Sequence, residues 1–456
     1  MKKNFFYVLA LTLVILVFFS GVFLSQKYKR LYSITASYVY PVYHKFLNKE
    51  TLDIELSEED TVEQTKFYNH FKIVMKKIES VSYEVDDLVR MQKTSNNYDY
   101  KKKSQNKKNK AKVGKIAFQH QSAGFYIVKD NEEKIFKIFT RDGNVISNNG
   151  IKKYKLPPSY SVHNGKGGIR GVFFFKEQPY GLMTSEKVGC LYASVINIEE
   201  ATTVFDAGCL PDISSLHYDG IGGANIHLDN KILLSIGVPS YTSDNVRNLA
   251  QNKDSYYGKI IALSKDDLAK KKMDNSFNFK PEIISLGHRN PQGLARINEY
   301  IFSTEHGPKG GDEINIINKK NNYGWPVASY GSKYELVSKK SYKYNHKKNN
   351  FIEPLYQFTP SIGISSLANC PKSLTSYFDR KGCLLVNSLK NGSIYVFLLD
   401  EDLKRVIGYE KLEIGERLRN FGNNLDGTLF EDTDGSFYIT TDLGNTYNLK
   451  FILQKE

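Results

Sequence analysis

From about residue 66 to the C-terminus, short runs of strand length recur and sustained helical periodicity is nearly absent. HFKIVMKKI, SAGFYIV, KIFKIF, KILLSIG, EYIFST, GCLLVNSL and SIYVFLLD are apolar or alternate between apolar and polar residues. A period of two puts every second side chain on one face, which suits a half-buried strand and not a helix. Turn signals punctuate the runs: Arg141-Asp142-Gly143-Asn144, Asp229-Asn230, Lys390-Asn391-Gly392 and Thr433-Asp434-Gly435. At the C-terminus TLFED, FYITTD and TYNLKFIL, divided by DG and LGN turns, read as three antiparallel strands. So many short strands restrict the chain to a sandwich array, a large barrel or a propeller, and roughly 390 residues suit six four-stranded blades with long loops. No crisp repeat is visible, which excludes a WD-type signature. The 31 Tyr, 27 Phe and 33 Gly fit strands joined by tight turns. The predicted class is all-β, a six-bladed β-propeller preceded by an N-terminal transmembrane helix.

That helix is predicted over residues 5–24, FFYVLALTLVILVFFSGVFL, which carry no charge. Twenty residues at about 1.5 Å rise span about 30 Å, the thickness of a bilayer core. Lys2 and Lys3 precede the segment; Lys27, Lys29 and Arg30 follow it. It lacks the short apolar region and A-x-A-like end of a cleaved signal peptide. The expected order is a signal-anchor over 1–30, a polar, Tyr-rich stalk over 31–65 and a propeller over 66–456. The propeller would face the periplasm or another extracytoplasmic space.

The formal net charge is +14, from 63 Lys+Arg against 49 Asp+Glu. Residues 101–115, KKKSQNKKNKAKVGK, supply eight lysines and no acid, so 14 − 8 leaves +6 elsewhere. A nucleic-acid-binding face would interleave its cations with stacking aromatics, and this run has none. The stretch 93–115 therefore reads as a solvated, disordered insertion, with anionic lipid headgroups as the alternative contact. No nucleic-acid partner is expected. The four cysteines form two local pairs, Cys190 with Cys209 and Cys370 with Cys383. They read either as two disulfides in an oxidising compartment or as four buried thiols. None has zinc-like C-x-x-C spacing.

Residues 286–331 hold the densest chemistry. Gly287-His288-Arg289-Asn290-Pro291-Gln292-Gly293 sets a cation and two amides beside backbone-shaping residues. Glu305-His306-Gly307-Pro308 then leads to Gly310-Gly311-Asp312-Glu313. Glycines admit close backbone approach to a ligand, and carbonyls with a carboxylate suit a hard cation. G-H-R-N-P-Q-G, T-E-H-G-P-x-G-G-D-E-[IL]-N and N-Y-G-W-P together resemble the signature of the soluble pyrroloquinoline-quinone (PQQ) glucose and aldose sugar dehydrogenases. Ser388-Leu389-Lys390-Asn391-Gly392-Ser393-Ile394-Tyr395 and Arg417-Leu418-Arg419-Asn420 resemble two further stretches of that family.

The resemblance implies a six-bladed propeller with the quinone over its central channel. Arg289, Asn290, Gln292, Lys390, Arg417 and Arg419 would line the cofactor, whose three carboxylates need cations. It further implies calcium held against the quinone by the carbonyls of Gly307 and Pro308, and a second calcium at Glu313 and the Tyr323 carbonyl. The family's base segment, H-x-[GS]-G-R followed by I-G-D, is altered here. Aligned without a gap, the base position is Gly220, the Arg becomes Ala224 and the Asp becomes Val238. His217, three residues earlier, is the candidate base, with His163 next. Family members also carry G-Q-G-G-L-[LM]-D where this chain has Gly165-Lys166-Gly167-Gly168-Ile169-Arg170-Gly171. The expected activity is oxidation of a sugar C1 hydroxyl to a lactone, with hydride transfer to PQQ and then to an unidentified electron acceptor. The alternative is a catalytically impaired propeller that binds a carbohydrate or a protein.

Overall fold

The computed structural model describes residues 64–67, 71–83, 120–130, 133–163, 166–210, 219–239, 243–333, 342–343, 345–380 and 382–453. The apolar segment 5–24, most of the stalk, the lysine-rich stretch 93–115 and His217 lie outside them. No described helix is long and apolar enough to cross a membrane.

The described strands build six sheets of four or five strands, the blades of a propeller. Blades 1 to 5 cover residues 122–153, 169–206, 222–286, 291–358 and 364–413. Each is an antiparallel meander whose first strand lies innermost. Blade 6 is composite. Its inner strands Leu418–Phe421, Phe437–Thr441 and Thr446–Leu453 are completed by Phe71–Lys77 and Gln64–Phe67 from the other end of the chain. Phe71 pairs with Leu453 and Lys77 with Tyr447, so one hydrogen-bonded ladder closes the ring. Neighbouring inner strands touch in the cyclic order of the blades, with the first also against the last.

Burial patterns explain the strand choices. Cys383–Ser388, a middle strand of blade 5, is buried at every position because blades flank both its faces. The edge strand Val406–Glu413 instead alternates half-buried with exposed residues over most of its length. Between blades the core is aromatic and aliphatic: Phe173, Tyr180, Leu191 and Ile232 pack in one cluster, Phe302, Phe397 and Val386 in another. Both expected cysteine pairs are disulfides, Cys190–Cys209 and Cys370–Cys383. The C-terminal reading needs one correction. TLFED is not a strand; it contributes only an isolated bridge between Leu429 and Asn423. The strand that precedes Phe437–Thr441 is Leu418–Phe421.

All six inner strands share one irregularity. Near the start of each, its pairing with the second strand skips one or two residues. The skipped residues are Ala123, Arg170, Gly223 with Ala224, Gln292, Ser365 with Ser366, and Arg419. A bulge bends the strand and re-aims the extra side chain. Every one of these residues lines the cavity on the propeller axis.

Candidate active site

The two loops of residues 286–331 meet at the head of blade 4. His288 is fully buried, with its Nε2 2.8 Å from Ser285 Oγ and its Nδ1 2.9 Å from Glu305 Oε2. Its ring stacks on Tyr323 at 4.6 Å. The other Glu305 oxygen accepts the backbone N–H of Arg289. Glu305 thus fixes both neighbours in the His288-Arg289 dipeptide. The Arg289 guanidinium donates to the His306 carbonyl at 3.0 Å and lies 5.4 Å from the Trp325 ring centre. Asn290 Oδ1 accepts from the Gly222 N–H at 3.1 Å and from Gln292 Nε2 at 2.8 Å. Those bonds join the bulges of blades 3 and 4.

Asp312 is the organiser that the sequence reading missed. Its Oδ1 accepts from the Gly307 N–H at 3.0 Å, and its Oδ2 accepts from Gly363 at 2.8 Å and Ile364 at 3.1 Å. The 307 loop is thereby fastened to the start of blade 5. His306, 4.0 Å from Asp312, is pushed down to about 4 by burial, so it is neutral at neutral pH. Glu313 is buried, and burial together with the Glu305 charge pushes its carboxyl well above the usual range. The Tyr323 hydroxyl donates to the Ile316 carbonyl at 2.6 Å.

On blade 6 a second buried carboxylate gathers two of the expected ligands. Asp442 receives Arg419 Nε at 2.7 Å, Arg419 Nη2 at 2.8 Å and Arg417 Nε at 3.0 Å. Burial opposes its charge, but the two guanidiniums hold its carboxyl below the ordinary value. Arg419 also donates to Gln121 Oε1 at 3.1 Å. Arg417 donates to the Leu389 carbonyl at 3.2 Å, which anchors the turn that presents the exposed Lys390. Gln292 and Arg419 share the axial cavity; Asn290 is bonded to Gln292, and Arg417 shares Asp442 with Arg419.

The altered side has its own logic. A Cβ on Gly171 would overlap the carbonyl of Gly223, so the family Asp at 171 is sterically excluded. Gly220 has φ +93°, a backbone that L side chains rarely adopt, so its position does not offer a simple site for a His. Ala224 lines the cavity, and Val238 is a buried core residue. Lys166, in place of the family Gln, pairs with Asp219. Two cavity residues escaped the sequence reading as site residues: Arg141 and Arg170. The signal for Arg170 was a cation where the family pattern has Leu or Met.

The glucose / sorbosone dehydrogenase family profile matches residues 192–442, more than half of the chain. The chain belongs to that family. An uncharacterised Synechocystis protein, slr1608, is 34% identical over 222 residues, 45% of this chain and 51% of its own length. Escherichia coli aldose sugar dehydrogenase YliI is 30% identical over 264 residues, 56% of this chain and 66% of its own. This family member therefore spans about half to two thirds of these relatives' lengths. Two solved structures share the fold. The apo-form of E. coli aldose sugar dehydrogenase has a TM-score of 0.55 and 21% identity, covering 74% of this chain and 97% of its own. The PQQ-bound Streptomyces coelicolor enzyme has a TM-score of 0.50 and 18% identity, covering 75% and 97%.

Proposed function

We propose that this chain is a PQQ-dependent aldose dehydrogenase that oxidises a sugar C1 hydroxyl to a lactone. The observation that carries the reading is the rim of the axial cavity. Gln292 and Arg419 line that cavity, Asn290 is bonded to Gln292 and Arg417 shares Asp442 with Arg419; with Arg289 and Lys390 they make a donor set suited to a planar tricarboxylate. PQQ, when bound, supplies the two-electron acceptor for the hydride leaving C1. The chain's own work is binding and proton transfer. Arg417 and Arg419, pre-set by Asp442, offer their remaining N–H groups to carboxylate. Asn290 and Gln292, locked to each other, fix orientation from the blade 4 side. His217 is assigned to take the hydroxyl proton as general base. Electrons then pass to an acceptor outside the protein.

Calcium belongs to the same reading, at the carbonyls of Gly307 and Pro308 and at Glu313 with the Tyr323 carbonyl. The fit rests on the buried Glu313 carboxyl, whose charged form a divalent cation would restore against Glu305. No cluster of three or more His, Cys, Asp or Glu among the described residues is arranged to hold a metal, so carbonyls would carry much of the coordination. The two disulfides and the apolar segment 5–24 support a membrane-anchored protein whose propeller faces an oxidising, extracytoplasmic space.

The second reading, a non-catalytic binding propeller, is favoured by Gly220, Ala224 and Val238 at the family's base-side positions. Reconstituting the apoprotein with calcium and PQQ, then following sugar-dependent dye reduction, separates the two. The dehydrogenase reading expects sugar-dependent turnover and a loss of roughly 10²-fold in His217→Ala, the scale of general-base catalysis. Quinone binding without reduction by any sugar would establish the second reading.

A further inference from the structure

His346 is a histidine that the proposed chemistry does not use. It is 1% exposed and lies on the long connection between the third and fourth strands of blade 4, Asp312–Ile317 and Tyr356–Phe358. Neither of its ring nitrogens has a hydrogen-bond partner among the described residues. Its Nε2 stands 3.9 Å from Glu313 Oε1, and its Nδ1 stands 3.9 Å from Glu353 Oε2. Both gaps are too wide for hydrogen bonds. The ring is nevertheless fixed. Tyr330 stacks on it at 5.0 Å, and the Tyr330 hydroxyl donates to Glu353 Oε2 at 2.5 Å. The other Glu353 oxygen accepts from the Lys347 N–H at 2.7 Å. The His346 carbonyl accepts from the N–H groups of Asn349 at 2.9 Å and Phe351 at 3.0 Å.

A buried imidazole held rigid with both nitrogens unbonded is costly. One ion between Nε2 and Glu313 removes that cost. Zinc sits about 2.0–2.2 Å from an imidazole nitrogen or a carboxylate oxygen, so two of its ligands stand about 3–4 Å apart. The gap of 3.9 Å lies in that range. The Tyr323 carbonyl is the third group. It is followed by Gly324, where a Cβ would meet His346 Cδ2, the atom next to Nε2, at 3.0 Å. With φ +93° and no side chain, Gly324 lets this stretch lie against the Nε2 edge of the ring. Glu353, on the Nδ1 side, stands where a metal-bound histidine keeps the carboxylate that fixes its tautomer. Glu305, Asp312 and Glu353 all disfavour the Glu313 charge, and a dication would offset them. Calcium prefers about six to eight oxygens, whereas an imidazole beside a carboxylate suits a transition ion.

We propose that His346 Nε2 is a ligand of the Glu313 site, and that this nitrogen makes the site select a divalent transition ion such as zinc over calcium. The bound ion would staple the connection 318–355 to the strand head that carries Asp312 and Glu313. This rests on the reading of Glu313 as a metal ligand and not on the dehydrogenase chemistry. The carbonyl site at Gly307 and Pro308 gains no nitrogen and remains a calcium site.

The test is calorimetric titration of zinc, and separately of calcium, into the chelator-stripped full chain, with melting curves in each ion. Wild type, His346→Gln, Glu353→Gln and Glu313→Gln are compared, and each variant's melting curve in chelator is the folding control. The binding event lost in Glu313→Gln reports this site. There zinc is expected to bind roughly tenfold or more tighter than calcium. His346→Gln replaces the nitrogen with an amide, so zinc should weaken by roughly 100-fold while calcium changes by no more than about twofold. Glu353→Gln, which touches no metal, should weaken zinc by roughly tenfold, the scale of losing an outer partner. Zinc affinity unmoved in His346→Gln overturns the proposal. So does a site that prefers calcium, in which case the calcium reading of Glu313 stands alone. If neither ion raises the melting temperature of wild type, the metal reading of Glu313 and the proposal fail together. Should His346→Gln not fold, X-ray absorption at the zinc edge decides on wild type loaded with one equivalent. Imidazole scattering that disappears in Glu313→Gln is expected, and an all-oxygen shell refutes the nitrogen ligand.

Discussion

Asp442 is the side chain on which the blade 6 cations depend. It is fully buried and receives three guanidinium N–H groups. Asp442→Asn keeps the shape and removes the charge, leaving Arg417 and Arg419 with no carboxylate between them. Breaking a buried pair of this kind costs about 3–5 kcal/mol. Urea unfolding should show a loss of that order; a change under about 1 kcal/mol would mean the arginines are solvated. Arg417 and Arg419 were legible in the sequence because R-x-R stands in a family stretch. Asp442 was not, because it lies more than twenty residues later at a strand end, where acidic residues are ordinary. The same holds for Asp312. It was read as part of a loop motif, and only the fold shows that it bonds blade 4's loop to blade 5. Sequence distance hides such partners, since the propeller brings strand heads together only when the ring closes.

At the scale of elements, the strand runs and turns were legible and the bulges were not. Alternation places a strand, but a skipped residue at its start leaves no mark on an apolar pattern. The Gly171–Gly223 approach between blades 2 and 3 follows from two such bulges. Restoring the family residue with Gly171→Asp should therefore destabilise the protein, because a Cβ there meets the Gly223 carbonyl and the carboxylate would be partly buried. A lower melting temperature is expected, and an unchanged one would show that the two strands separate freely. The TLFED misreading has a related cause. Its composition fits a strand, but the segment only returns the chain towards Asn423, and Leu418–Phe421 takes the inner place. The disulfides act at this scale too. Cys370–Cys383 closes a loop of 13 residues and Cys190–Cys209 one of 19. On the chain-entropy view each adds about 3 kcal/mol by restricting the unfolded state. Replacing Cys370 and Cys383 with Ala should lower stability by that order in chemical unfolding.

The depressed His227, His306 and His346 and the depressed Lys259 should each make the whole molecule more stable as pH rises through their windows, while the raised Glu313 carboxyl opposes the lower stage. His227, on the inner strand of blade 3, is pushed down to about 4 by burial, with Lys265 adding to the shift. The unfolded chain takes up that proton below about 6.5, whereas the folded one waits until about 4. The unfolded state therefore holds more protons between those limits, and stability falls as pH drops through them. Lys259 is fully buried and donates to the carbonyls of Leu249 at 2.9 Å, Ala250 at 3.0 Å and Tyr257 at 2.7 Å. Burial pushes its ammonium down to about 7. Between that value and the ordinary lysine range the unfolded chain again binds the extra proton, so stability rises with pH there as well. Melting temperatures from pH 4 to pH 9 should climb in two stages. His227→Gln should reduce the lower stage, the remainder belonging to His306 and His346, and leave the upper one. Lys259→Met should lower stability at every pH, because three carbonyls lose their donor, and should flatten the upper stage. An upper stage that persists in Lys259→Met would place the titrating group elsewhere.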